Sequence, residues 1–502
     1  MLKILNTTQI KLLDAYTIQH EPVASIDLME RACRAVVSWC MNHITIENKM
    51  GVVCGTGNNG GDGLGIARLL SEQGYPVKVW IVRGSVPESP DFSSNLKRLH
   101  GKVEIFEIGT ASDQRLFEDR DVLIDAIFGS GLSRPTEGIY AQAIRCINNT
   151  QALRIAVDIP SGLLADKLSS GDIVKAHHTI TFQLPKLSFL FAENGGFVGD
   201  WHVVDIGLNR EFIDASETNY FLLEKSDIRK MLHTRSKFEH KGNFGHALLI
   251  AGSYGKIGAA VLSARAAMRS GAGLVTVHVP TCGYQIIQTS VPEAMLSVDE
   301  SETNFSSLPE IKNFSAIGIG PGIGQEKQTI KALTKLLETS EKPMVLDADA
   351  LNILGANREL IHLIPQNSIL TPHVKEFERL VGTCTSDVER LEKLREFSGK
   401  TNTVMLLKGA HTSIATPEGT VYFNTTGNPG MATGGSGDVL TGLVTGLLAQ
   451  GYTSRESAFL GAWLHGLAGD LAAEVKSQQA LIASDIVDYL PAAFKSVVKK
   501  LV

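Results

Sequence analysis

The chain has 502 residues, more than one hydrophobic core usually supports, so two domains are expected. At 43% hydrophobic, 20% charged and a net charge of −6, the composition is that of a soluble globular protein with no general attraction for nucleic acid or anionic membrane. The six cysteines contain no C-x-x-C pair, which excludes a zinc-ribbon pattern and suits reduced thiols rather than a disulfide frame.

The N-terminus lacks a signal-like apolar core, and no uninterrupted apolar run approaches a membrane span. A cytoplasmic enzyme acting on small molecules fits, with neither nucleic acid nor membrane as partner, and a homo-oligomer is expected. In chain order, Ser25 is placed to cap a helix through "IDLMERACRAVVSWC". Strands are expected in "MGVVCG" (50–55), "VKVWIV" (77–82), "DVLIDAIFG" (121–129), "RIAVDIPSG" (154–162), "HTITFQLP" (178–185) and "WHVVDIG" (201–207). Helical stretches lie at 63–73 and 139–150 between the earlier ones. That alternation predicts an α/β fold with a Rossmann-like parallel sheet.

A polar stretch over 216–245 marks the boundary, near 220–230, dividing the chain into domains 1–222 and 223–502. The alternation then restarts with "HALLIAGS" (246–253), "GLVTVHVP" (273–280), "AIGIGPG" (316–322), "PMVLDADAL" (343–351), "SILTPH" (368–373), "TVMLLKG" (403–409) and "TSIATPEGTVYFN" (412–424). Three helical stretches follow from Gly437 to the end.

In "CGTGNNGGDGLG", Gly55, Gly57 and Gly60 satisfy G-x-G-x-x-G, the loop that lets a pyrophosphate approach a helix N-terminus. Asp62 beside that loop should repel a pyrophosphate. Arg83, closing the second strand where an acid would take ribose hydroxyls, would suit the 2′-phosphate of NADP. An oxidoreductase and a turn that only packs strand on helix therefore both stay open. "DAIFGSGLSRP" and "VDIPSG" put Asp125, Asp158 and Ser161 at further strand ends, which in an open parallel sheet converge on one crevice. Helix capping is the plainer role for each carboxylate alone. Together with Asp62 and Asn59 they form a crowd of oxygens that needs a cation, a hydrogen bond or a raised pKa.

"GTGNNGGDG", "DAIFGSG" and "VDIPSG" resemble the signature loops of the YjeF N-terminal domain, the NAD(P)HX epimerases. The resemblance covers about residues 5–220. It implies a domain that interconverts the R and S epimers of hydrated NADH or NADPH at C6 and binds K+. Asn59, Asp125 and Ser161 would then contact the ion. Asn58, Asn59, Gly60, Gly61, Asp62 and Asp158 would contact the substrate, as would Gly129, Ser130, Gly131, Leu132, Ser133, Arg134 and Pro135. Asp158 would be the acid/base, with Lys186 in "QLPK" nearby. Where the family commonly has "LMENAG" this chain has "LMERAC", so Arg31 and Cys33 alter an element near the pocket.

In the second half, "GNPGMATGGSGDVLTGLVTGLLAQG" opens a long helical pattern with Gly434, Gly435 and Gly437, whose free amides suit a phosphoryl group. Asp438 at that helix start is placed either to cap it or to take a proton from an attacking hydroxyl. Lys408 in "LLKGAHT" offers a point charge for a phosphate, and His373 follows another strand. "GSYGKIGAAVLSARAAMRSGAGLVTV", "GPGIG", "LDADALN", "LTPHVKEFERL", "LLKGAHT" and "GNPGMATGGSGD" resemble, in order, the YjeF C-terminal domain, the NAD(P)HX dehydratases of ribokinase-like fold. This implies that ADP or ATP, with Mg2+, phosphorylates the C6 hydroxyl of the S hydrate, and that phosphate then leaves. Lys408, Gly409, Ala410, His411, Thr412 and Gly437 would hold the nucleotide. Ala259, Gly322, His373 and Asp438 would contact the hydrate, with Asp438 the general base. In "LDADALN", Asp347 and Asp349 are placed equally well to cap a helix or to meet the metal.

The combined reading is a bifunctional metabolite repair enzyme. Its rivals are a small-molecule kinase fused to a dinucleotide-binding domain, and a chain whose N-terminal half only binds ligand.

Overall fold

Short apolar runs, each followed by a glycine turn and an amphipathic stretch, bury both faces of a strand only within a parallel sheet covered by helices. The computed structural model describes residues 1–109 and 116–498. Its chain forms two compact units, Lys3–Thr218 with Ser386–Val388, and Met1–Leu2 with Asn219–Thr385 and Glu389–Val502. A short strand β1 (Leu2–Lys3) comes first.

The N-terminal unit carries β2 (Met50–Cys54), β3 (Val77–Val82), β4 (Glu104–Ile108), β5 (Val122–Ala126), β6 (Leu153–Val157), β7 (His178–Phe182) and β8 (Asp200–Val204). Their order is β4-β3-β2-β5-β6-β7-β8 and every pairing is parallel. The expected strands are all present. β4, "EIFEI", is an addition, a largely exposed edge strand whose charged residues hide it in the sequence. The order reverses between β2 and β5, and the register sets Val53 opposite Asp125 and Asp125 opposite Ala156. The carboxyl ends of β2, β5 and β6 are therefore level, and their three following loops share the crevice at the switch point.

The helix after β2 spans Asn58–Glu72, five residues longer at its start than the sequence suggests, so the Asn-Asn-Gly-Gly-Asp run is its first turn. Packing overrides the poor helix propensity of glycine there. A Cβ at Gly63 would lie 2.6 Å from Ala126 Cβ and 2.7 Å from Cys54 Sγ, so only glycine lets the helix lie this close to the sheet. Ser25 does not cap its helix, Ser25–His43. Ala24 holds the cap position in extended backbone, and the Ser25 hydroxyl donates to Asp91 at 2.5 Å instead.

The C-terminal unit contributes β9 (Tyr220–Leu222), β10 (His246–Ile250), β11 (Leu274–Val279), β12 (Met295–Val298), β13 (Ala316–Ile319), β14 (Met344–Leu346), β15 (Ile369–Leu370), β16 (Val404–Leu407), β17 (Thr412–Ala415) and β18 (Val421–Asn424). The sheet runs β1-β9-β18-β17-β16-β15-β14-β13-β10-β11-β12. It is parallel from β12 to β16, and β17 is antiparallel to both its neighbours. Two sequence expectations are refined. Residues 343–351 are a strand only to Leu346 and helical from Ala348, and 412–424 are two strands of a hairpin.

Here the order reverses between β10 and β13, whose following loops are joined by Gly252 N–H donating to Pro321 O at 2.7 Å. The helix Ser436–Ala449 packs on Ile257–Ser270 through small residues. A Cβ at Gly442 would lie 2.0 Å from Ser263 O, and one at Gly446 would lie 2.1 Å from Ser270 Oγ.

The first glycine loop makes a test. A Cβ at Gly60 would sit 1.8 Å from Gly55 O, whereas one at Gly57 meets nothing within 4 Å. Gly60→Ala is expected to cost about 1–3 kcal/mol in chemical denaturation, and Gly57→Ala to stay within about 0.5 kcal/mol of the parent.

Candidate functional sites

In the N-terminal unit the helix Asn58–Glu72 starts from Gly57, which offers no side-chain cap, so its first-turn amides are open to an anion. Asn58 is exposed, while Asn59 is buried with its Nδ2 lacking a hydrogen-bond partner. Gly129 comes next to it, since a Cβ there would lie 3.3 Å from Asn59 Oδ1. Asp125, 1% exposed, accepts from Ser161 Oγ at 2.6 Å and Ser161 N at 2.8 Å, and burial pushes its carboxyl up to about 6. Ser161 Oγ in turn accepts from Phe128 N at 2.8 Å. Asp125 and Ser161 are thus joined directly, while Asn59 approaches them through the adjoining residues Phe128 and Gly129.

Asp158 follows β6 with φ +66°, a left-handed conformation that costs a non-glycine residue energy and marks a constrained position. Its Oδ2 accepts from Ser130 N at 3.1 Å, and its Oδ1 lies 2.6 Å from Lys186 Nζ. Lys186 is 1% exposed and also donates to Thr181 Oγ1 at 2.8 Å. Burial raises the Asp158 carboxyl, but the Lys186 ammonium and the hydrogen bonds from Lys186 and Ser130 outweigh it and hold it below the usual aspartate value.

Asp62 has no such partner. Burial, reinforced by the charges of Asp158, Asp14 and Asp91, raises it well above the usual aspartate value. A carboxyl so raised carries its charge less readily, which eases the objection that its charge raises in the sequence. Arg83, the residue suited to a 2′-phosphate, is instead paired with Glu88 and Glu107. Arg31 is exposed and pairs with Glu21, and Cys33 is buried with Sγ 3.3 Å from Asp62 O. Asp14, on the helix Thr7–His20, belongs to the same electrostatic group and escaped the sequence reading, because nothing in "KLLDAYT" marks it.

In the C-terminal unit, Gly435 caps the helix Ser436–Ala449 in left-handed backbone, φ +94°, and supplies no side chain to its first amides. Asp438 is therefore not a cap. Its backbone carbonyl accepts from Ser263 Oγ at 2.9 Å, which fixes the helix start. Asp347 holds the cap position of Ala348–Ala356, yet its carboxylate does not cap the helix. It turns to Lys408 Nζ at 2.9 Å and Thr441 Oγ1 at 2.6 Å. Burial disfavours the Lys408 charge, but Asp347, Glu376 and Asp438 together keep its pKa above the usual lysine value.

A Cβ at Gly437 would lie 3.4 Å from Lys408 Nζ, so glycine keeps open the space above that ammonium. Burial and the nearby Asp347 raise Asp438 to about 6, against the opposing pull of Lys408. Asp349 accepts from Gly324 N at 2.9 Å and lies 3.7 Å from Lys256. Gly322 (φ +65°) and Ala259 come together, since a Cβ on the former would lie 3.3 Å from the Ala259 Cβ. His373 caps Val374–Val381, its Nδ1 accepting from Glu376 N at 3.1 Å. Gly409 and Ala410 sit in the turn before β17, and Thr412 begins that strand. Burial lowers His411. Thr441, Glu376 and the half-buried His465, whose Nε2 lies 2.9 Å from Ser436 O, are supports that the sequence does not single out.

Among the described residues no group of three or more His, Cys, Asp or Glu is placed to hold a metal, and no helix is long and apolar enough to cross a membrane. Lys186→Met, which strands Asp158 without its counter-ion, is expected to destabilise the N-terminal unit by about 3–5 kcal/mol in urea at neutral pH. An unchanged midpoint would show that the pair is not buried as described.

Two family models match the chain, one described as NAD(P)H-hydrate dehydratase over residues 247–492 and one as YjeF-related protein N-terminus over residues 25–188. The bifunctional NAD(P)H-hydrate repair enzyme Nnr of Moorella thermoacetica is 38% identical over 499 residues, covering 95% of this chain and 94% of its own. Its namesake from Thermofilum pendens is 36% identical over 514 residues, covering 99% and 97%. A crystal structure of the ADP/ATP-dependent NAD(P)H-hydrate dehydratase of Bacillus subtilis, co-crystallised with ATP/Mg2+, is 32% identical over 56% of this chain and 100% of that one, with a TM-score of 0.49.

Proposed function

We infer the roles below from one premise: the chain belongs to the family of bifunctional NAD(P)H-hydrate repair enzymes. Its N-terminal unit epimerises R and S NAD(P)HX, and its C-terminal unit dehydrates the S form to NAD(P)H at the expense of ADP or ATP. The observation that carries the assignment of residues is common to both units. Each places an uncapped helix N-terminus beside a lysine-paired carboxylate and a second carboxylate without a lysine of its own.

In the dehydratase, the first-turn amides of Ser436–Ala449 and the Lys408 ammonium bind the terminal phosphate of the nucleotide. Residues Lys408 to Thr412 and Gly437 hold the nucleotide, and Ala259, Gly322 and His373 line the hydrate. Asp438 accepts the C6 hydroxyl proton as its oxygen attacks phosphorus, and a base whose pKa is about 6 suits that task near neutrality. Phosphate is a far better leaving group than hydroxide, so the ring nitrogen expels it, and loss of a proton from C5 restores the double bond. When present with the nucleotide, magnesium would neutralise negative charge on the transferring phosphoryl group.

In the epimerase, the amides opening Asn58–Glu72 take the pyrophosphate, the loop from Gly129 to Pro135 borders the nicotinamide end, and Asp158 exchanges protons with the C6 hydroxyl. A potassium ion would suit the side-chain oxygens of Asn59, Asp125 and Ser161, of which Asp125 and Ser161 are already joined and Asn59 Oδ1 lies beside Gly129. When bound, it would add positive charge beside the crowded carboxylates.

A mixed R/S hydrate of NADH, supplied with ADP or ATP and magnesium, tests the whole reading. Both epimers should return reduced nicotinamide absorbance, with one inorganic phosphate released per turnover. A stable phosphorylated product would favour a kinase instead. Asp438→Asn should lower the dehydratase kcat by about 10²–10⁴-fold. Because the ionised form of Asp438 is the active one and its pKa is raised, the wild-type rate should climb as pH increases through about 6.

A further inference from the structure

The helix Thr7–His20 presents one face to the epimerase loops. Thr7 donates from both N and Oγ1 to Asp166 Oδ2, at 2.7 and 2.5 Å, which ties the first turn to the loop that follows Asp158 and Ser161. Lys11, one turn on, reaches the Gly129–Pro135 loop, since a Cβ at Gly131 would lie 3.7 Å from its Cε. Asp14 completes the i, i+4, i+7 stripe and so points the same way. Farther along, Thr17 Oγ1 accepts from Asn209 N at 3.0 Å and pins the helix in place. Asp14 is half-buried, and among the described residues its carboxylate has no hydrogen-bond partner.

We propose that Asp14 is a second catalytic residue of the epimerase site, the proton donor that works opposite Asp158. The proposal rests on the epimerase reading of this unit. Inverting C6 of a carbinolamine by ring opening needs two groups in opposite protonation states. Asp158 accepts the hydroxyl proton while the C6–N1 bond breaks, its electron pair passing to N1, and Asp14 gives N1 a proton. The open aldehyde turns about C5–C6. N1 then attacks the other face of the carbonyl, its proton returns to Asp14, and Asp158 returns its proton to oxygen. No oxidant, reductant or outside water is consumed.

The charges facing Asp14 divide the two roles as this step requires. Asp158 has the Lys186 ammonium 2.6 Å away and stays ionised. Asp14 has no counter-ion so close, and burial together with the Asp158 charge lifts it to about 6 despite Lys186. Asp62 also faces the group, and Lys11 lies on the same helix.

The test uses the full-length protein with purified R hydrate and follows R and S by chiral chromatography. The urea midpoint of the N-terminal unit serves as the check on its folding, and the S-hydrate dehydratase rate of the C-terminal unit as the check on the amount of active protein. Asp14→Asn should lower the epimerase kcat by about 100-fold or more, with KM changed less than about threefold. It should also abolish the decline of the wild-type rate as pH rises through about 6. Asp14→Glu should recover at least about a tenth of the activity, and oxygen from labelled water should not enter C6 at each turnover.

An Asn variant with kcat within about threefold of wild type would overturn the proposal. So would a loss confined to KM, a persisting pH limb, or obligatory label uptake. A wild-type chain that does not epimerise R hydrate at all would instead refute the epimerase reading on which it rests.

Discussion

A carboxylate taken out of water must be paired or protonated, and each unit is arranged around more carboxylates than lysines. In the N-terminal crevice Lys186 goes to Asp158, which leaves Asp62 and Asp14 to rise. In the C-terminal site Lys408 goes to Asp347, which leaves Asp438 to rise. The same shortage of positive charge thus leaves each site with one lysine-paired carboxylate and at least one raised carboxyl. This is the electrostatic setting that acid–base work on a hydroxyl requires.

The scaffold makes this crowding possible. Both sheets reverse strand order at one point, between β2 and β5 in one and between β10 and β13 in the other, and the glycine turns converge there. Where a Cβ would strike backbone, as at Gly60 against Gly55 or Gly442 against Ser263, glycine is needed for packing. Where a Cβ would meet open space or the lysine head, as at Gly57 and Gly437, glycine instead keeps the space at the helix start open. Two functions of one residue type are therefore separated by geometry within a single motif.

Most of the strand pattern could be read directly, because buried parallel strands leave unbroken apolar runs. β4 escaped because an edge strand keeps its charged residues in water. Helix starts depart from local preference where tertiary contacts override it, as in the glycine-rich first turn of Asn58–Glu72 and the displaced cap at Ser25. Asp158, Lys408 and Asp438 are visible as strand-end or helix-start residues, and Lys186 only through the family resemblance. Asp14, Thr441 and His465 lie in ordinary helical sequence, and only the folded chain reveals what they face. The capping role considered for Asp347 and Asp438 was a fair inference from position alone. The Asp347 side chain turns instead to Lys408 and Thr441, a direction that sequence does not encode locally, and Gly435 rather than Asp438 holds the cap position.

Carbon-13 NMR of the aspartate carboxyls, assigned by single Asp→Asn replacements and followed across pH, would examine this division of charge most directly. The account predicts that Asp438 titrates near 6 while Asp158 titrates below the ordinary aspartate value. Titration of the two together, at the value of an exposed aspartate, would contradict it.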